Sequence, residues 1–166
     1  MRLENWFYSE NDVHTVKSLD ELMGLYYYSV GRGSNLLINI APDRHGRLPA
    51  EDKKALLEMG NKIREIFSDY IDCKVTAESN KITLEAELQL VNHITLSEEI
   101  TGNDEIESFE IKAYPYPYGA PITVYTGKTI GHKAICCFPA IKTDKIEIIF
   151  DKDKKVTANI KYIRQY

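Results

Sequence analysis

The sequence predicts an α+β fold in which a helix-bearing first part is followed by an antiparallel β-sandwich. Three observations carry this. Between Tyr26 and Phe67 the chain reads as helix, tight turn, apolar run, polar loop and helix, the order of an α/β unit. Near Tyr70–Lys74 the helical period stops and alternation begins. From there on, short alternating segments follow one another at sandwich spacing, with a proline-rich turn among them. The boundary is placed at residue 70, giving parts 1–70 and 71–166.

Asn5-Trp6-Phe7-Tyr8 reads as the end of a short strand. Ser18-Leu19-Asp20-Glu21 is a capping box, in which hydroxyl and carboxylate each meet the other residue's amide. Leu19, Leu22, Met23, Tyr26, Tyr27 and Val30 follow at helical spacing, and Gly31 and Gly33 end the helix. Asn35–Ile40 (NLLINI) is a continuous apolar run and reads as a parallel strand covered on both faces. Such a strand needs a cover, either from the flanking helices folding down on it or from another chain. Ala41–Leu48 is a polar loop at its carboxyl end. Pro49 suits the first helical position, with Glu51 and Asp52 at the positive helix end. Leu56, Met59, Gly60, Ile63, Ile66, Phe67 and Tyr70 form one apolar face, with Gly60 marking a close helix contact.

In the second part, Ile82, Leu84, Ala86, Leu88 and Leu90 alternate with polar residues as a half-buried strand, and Val91–Leu96 continues or bends from it. Ser97–Glu105 is an acidic loop. Phe109, Ile111 and Ala113 share a parity. Tyr114–Pro121 (YPYPYGAP) is excluded from a central strand because proline donates nothing to a ladder. Ile122–Tyr125, Lys133–Phe138, Lys145–Phe150 and Val156–Ile163 complete the strands.

At 166 residues, 43% apolar and 28% charged, the chain is long enough for one domain or two small ones. The net charge of −4 gives no electrostatic case for nucleic acid or an anionic membrane. No apolar run reaches the length of a membrane span. Met1-Arg2 leads into LENWFY without the apolar core of an export signal, so the expectation is cytoplasmic for the chain as given, with a periplasmic or secreted parent. Cys73, Cys136 and Cys137 are an odd set without metal spacing and read as free thiols. His14, His45, His93 and His132 are scattered, and neither a metal nor another cofactor is expected. Gly31-Arg32-Gly33 precedes a strand rather than a helix, so it is not a phosphate loop.

Glycosidic hydrolysis needs two carboxyl groups across the bond. Glu4, Asp43 and Asp69 lie near candidate strand ends, and capping or solvation accounts for each. His45 lies in the strand-end loop. Trp6 is the sharpest single residue, because indole faces stack on the apolar C–H surface of sugars, although a core tryptophan reads equally well.

SVGRGSNLLINIAPDRHGRLP, preceded by WFY and VKSLDELMGLYYY, resembles the last strand-loop-helix of the catalytic barrel in family 29 glycoside hydrolases, the α-L-fucosidases. Ile106-Glu107-Ser108-Phe109, the run Thr126–Lys133 and Phe138-Pro139-Ala140 resemble the discoidin-like, galactose-binding-type sandwich that follows that barrel. The resemblance implies that residues 1–70 are the C-terminal segment of a (β/α)8 barrel, a βαβα remnant, and that 71–166 are a truncated sandwich. It implies retaining hydrolysis of terminal α-L-fucosides in the parent. Trp6 would form one wall of the fucose site, with Phe7 in reserve. The motifs carrying the nucleophile and the acid/base have no counterpart here, so no catalytic residue is carried over. The expected partners are a fucosylated glycan, a second copy of the chain, or the N-terminal barrel part. The alternative is a stand-alone carbohydrate-binding or interaction sandwich that uses the loops Tyr114–Tyr118 and Thr126–His132.

Overall fold

A computed structural model describes residues 1–3, 5–100, 106–153 and 155–163. Glu4 and the Thr101–Glu105 stretch of the acidic loop lie outside the described residues. The chain forms two units. One comprises Met1–Ser29 and Asn35–Ser68, the other Val30–Ser34 and Asp69–Tyr166.

In the first unit a 3-10 segment, Glu10–Thr15, precedes helix α1 (Leu19–Ser29) and helix α2 (Ala50–Phe67). The capping box is formed: the Ser18 amide donates to Glu21 Oε2 at 2.8 Å, and the Glu21 amide donates to Ser18 Oγ at 3.3 Å. The bond from the Ser18 amide first, and one from the Ser18 hydroxyl to Glu21 Oε2 at 2.9 Å second, hold the Glu21 carboxyl below its ordinary range. Pro49 sits one residue ahead of α2, at its N-cap. The core of this unit is Met1, Leu22, Met23, Ala55 and Met59, with Leu56, Ile63 and Ile66 of α2 packed around it.

Three expectations for this unit are corrected. Asn35–Ile40 is extended but makes no strand pairing, and Leu37 is 90% exposed. Leu36, Ile38 and Ile40 share the parity that packs on the helical core, so Leu37 points away from it. An apolar run specifies burial on both faces, and here the helices cover one face only. Asn5–Tyr8 likewise forms no strand. Gly60 makes no close helix contact either: a Cβ there would meet nothing nearer than the Arg64 guanidinium at 3.7 Å. Gly60→Ala is therefore expected to stabilise the protein by about 0.5–1 kcal/mol through helix propensity alone. Urea denaturation measures it, and a destabilised variant would show that α2 needs the glycine.

The second unit is built from β1 (Lys74–Glu78), β2 (Lys81–Glu98), β3 (Phe109–Pro115), β4 (Ile122–Gly127), β5 (Ala134–Phe150) and β6 (Val156–Lys161). All pairings among the described residues are antiparallel, in the order β1-β2-β5-β3-β4, with β6 on the other part of β2. β2 and β5 are long enough to serve twice. Their one pair of halves, Lys81–Glu85 with Lys145–Ile149, carries β1 and β3. The other, His93–Leu96 with Ala134–Cys137, carries β6. The register shifts between Glu85 and Gln89 and again between Val91 and His93, where the paired strands bend. Ile82, Leu84, Ile111 and Ile148 of one layer meet Ile94, Leu96, Cys136 and Ile160 of the other in a single core. The result is a β-sandwich folded from one continuous sheet.

The bend also corrects the strand expectations. Leu88 and Leu90 are 37% and 40% exposed because they lie where the ladder slips between layers, so the alternation that buries Ile82 and Leu84 does not continue through them. Lys133–Phe138 and Lys145–Phe150 are one strand rather than two. The exclusion of Tyr114–Pro121 from a central strand holds only from Tyr116 onward: Tyr114 and Pro115 end β3, which lies between β5 and β4, and Pro115 pairs with Thr143 after a register shift.

His93 is buried on β2, its ring Nδ1 2.8 Å from Asn92 Oδ1. Burial first, and Lys161 second, push it down to about 4. The unfolded chain would protonate this histidine near pH 6.5 while the folded chain keeps it neutral. Stability is therefore full above pH 6.5 and falls as pH drops from 6.5 toward 4, by about 2 kcal/mol after discounting for partial screening. Urea midpoints across that window test this, with His93→Gln expected to flatten the slope.

Candidate functional site

The candidate site lies in the first unit, where the N-terminal residues meet the extended segment Asn35–Ile40. Backbone pairing fixes the N-terminus: Leu3 N donates to Thr15 O at 3.2 Å and Lys17 N to Met1 O at 3.3 Å. The Met1 nitrogen donates to Asn39 O, and Asn39 Nδ2 donates to the Trp6 carbonyl at 2.8 Å. Asn39 thus clamps both ends of the first six residues. Between them lies a cavity of about 510 Å³ whose wall includes Leu3, Trp6, Leu25, Leu36, Leu37 and Asn39. Trp6 is 68% exposed, so much of its indole is open to a ligand. Phe7, 79% exposed, is not among the residues lining this cavity.

Behind this wall sits a buried ionic cluster. The Arg2 guanidinium donates through Nη2 to Asp52 Oδ2 at 2.7 Å, through Nε to both Asp52 oxygens at 3.3 and 3.2 Å, and through Nη1 to the Ser9 carbonyl at 2.7 Å and to Asp12. Asn5 Nδ2 donates to Asp12 Oδ2 at 2.8 Å. The arginine side chain is 6% exposed and the two carboxylates 3% and 2%. The Asn5 amide, followed by the Arg2 guanidinium, holds the Asp12 carboxyl below the ordinary range, while the Asp52 hydrogen bonds lead in raising Arg2 further. The Arg2 guanidinium also lies 5.4 Å from the Tyr8 ring centroid.

Of the carboxylates near candidate strand ends, Asp43 folds its own loop. Its Oδ1 accepts from the amides of His45 at 2.8 Å and Arg47 at 2.9 Å, an Asx turn, and these bonds, led by that from Arg47, hold its pKa down. His45 in that loop and Asp69 are exposed. The described lining of the Trp6 cavity includes Arg2 and Lys17 but no aspartate or glutamate. The arrangement offers an aromatic face, an amide and cations, which bind and orient. It offers no carboxylate pair for acid–base work. No group of metal-ligating side chains is present among the described residues, and none of their helices is long and apolar enough to cross a membrane.

Asn39 is the site residue that the pattern reading missed. Its signal was present, as the one polar side chain inside an otherwise apolar run. Arg2, Asp12 and Asp52 left no such signal.

Residues 1–65 match the sequence family described as Alpha-L-fucosidase. Alpha-L-fucosidase 1 of Arabidopsis thaliana is 22% identical over 182 residues, which covers 89% of this chain and 36% of that protein. A crystal structure of a Bacteroides thetaiotaomicron VPI-5482 protein assigned to the α-L-fucosidases superposes with a TM-score of 0.87 at 27% identity, covering 96% of this chain and 38% of that one. The family 29 fucosidase E1_10125 of Ruminococcus gnavus, solved in complex with fucose, shares the fold at a TM-score of 0.76 and 20% identity, over 95% of this chain and 38% of its own. The chain therefore spans little more than a third of the length of the relatives it matches. The similarity runs through both units.

Proposed function

We propose that this α-L-fucosidase-like chain contributes one wall of a fucose site, and the sandwich that follows it in the sequence, to retaining hydrolysis of terminal α-L-fucosides. The observation that supports it most directly is the likeness of nearly the whole chain to a little over a third of a fucosidase-type protein, joined to a cavity that presents Trp6. Retaining hydrolysis takes two carboxyl groups about 5–5.5 Å apart. The described lining supplies neither, so these residues bind and orient while the reacting carboxylates come from elsewhere in the domain. Trp6 packs on the apolar side of the sugar ring, and Phe7, outside the cavity lining, is the reserve for that role. The apolar strip at Leu37 packs against the remainder of the barrel-type domain, whether that lies on the same polypeptide or on another. A fucosylated glycan is the substrate class.

The test is hydrolysis of an aryl α-L-fucoside by the purified chain, alone and mixed with a polypeptide corresponding to the unmatched part of a relative. No turnover alone, turnover on mixing and its loss with Trp6→Ala are the expected results. Turnover by the chain alone that persists through repurification would overturn the assignment of the acid and nucleophile to other residues. Activity of the mixture indifferent to Trp6→Ala would overturn the wall.

A further inference from the structure

A second cavity, of about 420 Å³, has its described lining in the sandwich unit. One side is the backbone strip Gly31–Arg32. The others are the rings of Phe109 and Tyr125, the loop Thr126–Thr129, and Ala134. The Phe109 and Tyr125 rings stack with centroids 6.0 Å apart and planes 21° from parallel, giving the cavity an aromatic floor.

The walls are held in place by bonds made on folding. Gly33 N donates to Lys133 O at 2.9 Å, and Ile135 N donates to Gly31 O at 2.8 Å. Arg32 pairs with Ala134 between these two bonds, so its backbone is fixed on both sides. A Cβ at Gly127 would stand 2.3 Å from carbons of the Phe109 ring, so only glycine lets the loop cross that ring closely. Farther along, Gly131 N donates to the buried Glu98 Oε1 at 2.7 Å, which anchors the end of the loop.

The charge is segregated. The chain as a whole carries −4, yet the charged residues in the described lining are Arg32 and Lys128, both cationic. Thr126 and Thr129 add hydroxyls that can donate or accept. A cavity of this size, with an apolar floor and a few polar groups at its rim, has the make-up of a small-molecule site.

We propose that this cavity binds a saccharide residue bearing a carboxylate. The carboxylate lies between the Arg32 guanidinium, whose planar fork suits two parallel hydrogen bonds, and the Lys128 ammonium. The C–H face of the ring rests toward Tyr125, and the ring hydroxyls meet Thr126 and Thr129. This site goes beyond the fucosidase reading and stands without it, because its described lining comes from the sandwich unit.

The experiment titrates the full chain with galacturonic acid, following backbone amide resonances. Galactose and fucose serve as neutral controls, and acetate and inorganic sulfate as simple anions. Expected are saturable shifts at Thr126–Thr129, galactose at least about tenfold weaker, and weakening on raising the salt. Lys128→Gln and Arg32→Gln are each expected to weaken galacturonate by about tenfold with the thermal midpoint unchanged. Lys128 is exposed, so its variant tests the site even where Arg32→Gln perturbs folding. No saturation up to about 50 mM galacturonate, equal binding of galactose, or wild-type affinity in Lys128→Gln overturns the site. Equal competition by acetate or sulfate overturns the saccharide class. Binding of galacturonate by a chain that shows no fucosidase role leaves this inference standing and removes only the other.

Discussion

Arg2→Met lowers the stability of the first unit by about 3 kcal/mol, the cost of breaking a buried ion network by removing one partner. Trp6 is the only tryptophan in the chain, so its fluorescence in urea follows this unit selectively. The direction follows from what is left behind. Arg2 stands between Asp52 and Asp12, both nearly inaccessible, and satisfies oxygens of each together with the Ser9 carbonyl. Methionine matches much of the aliphatic length but donates nothing. The two carboxylates then face each other in a poorly solvated site, and one of them must take up a proton. Replacing the whole network by apolar groups costs far less than removing the arginine alone. Arg2→Met combined with Asp52→Asn should therefore recover part of the loss. A double variant no more stable than Arg2→Met would sink the account, because the two effects would then be independent. pH gives a second readout. Asp12 is held below its ordinary range in the folded chain, so its stabilisation is present above about pH 4 and is lost as pH falls through the lower folded value. In Arg2→Met this acid sensitivity should weaken, since the partner that favours the ionised form is gone.

How far the sequence can be read depends on whether a residue's role is set by its neighbours in the chain. The Ser18–Glu21 cap was legible because both partners lie within one helical turn. Phe109, Ile111 and Ala113 were legible because burial alternates along β3 without a break over these residues. Leu88 and Leu90 were not, since the slip between layers is set by pairing with β5 and not by β2 itself. NLLINI looked like a doubly covered strand because composition reports the burial that a segment is suited to, while Leu37 remains open. Trp6 stood out as a lone indole before a polar run, and the structure puts it on a cavity wall. Arg2, Asp12 and Asp52 are common surface types far apart in the chain, and only the fold makes them a cluster. The loop holding Lys128 was named as a candidate binding loop, but its meeting with Arg32 was not legible, because the two are far apart in the chain.

The second large effect is expected at Glu98, which read as part of an acidic loop and is in fact 5% exposed at the end of β2. Its Oε1 accepts from Gly131 N at 2.7 Å and its Oε2 from Ile106 N at 3.2 Å, and its own amide donates to Gly131 O at 3.1 Å. One carboxylate thus ties two separate loops to the sandwich. Glu98→Ala keeps the backbone bond but leaves two amides without their acceptor, at a cost of about 3 kcal/mol. Glu98→Gln keeps one acceptor oxygen and turns an NH2 toward the other amide, so about half that loss is expected. Far-UV circular dichroism in urea gives the totals. Hydrogen exchange separates the mechanism, because the amides of Ile106 and Gly131 should lose protection before the β2–β5 ladder does. If Glu98→Ala stays within about 0.5 kcal/mol of the parent, solvent must reach both amides and the carboxylate is not the tie. Should exchange quicken at Gly131 while galacturonate affinity falls, the anchored loop and the cationic cavity act as one unit. A stable loop with weakened binding would instead assign the lost affinity to the changed charge.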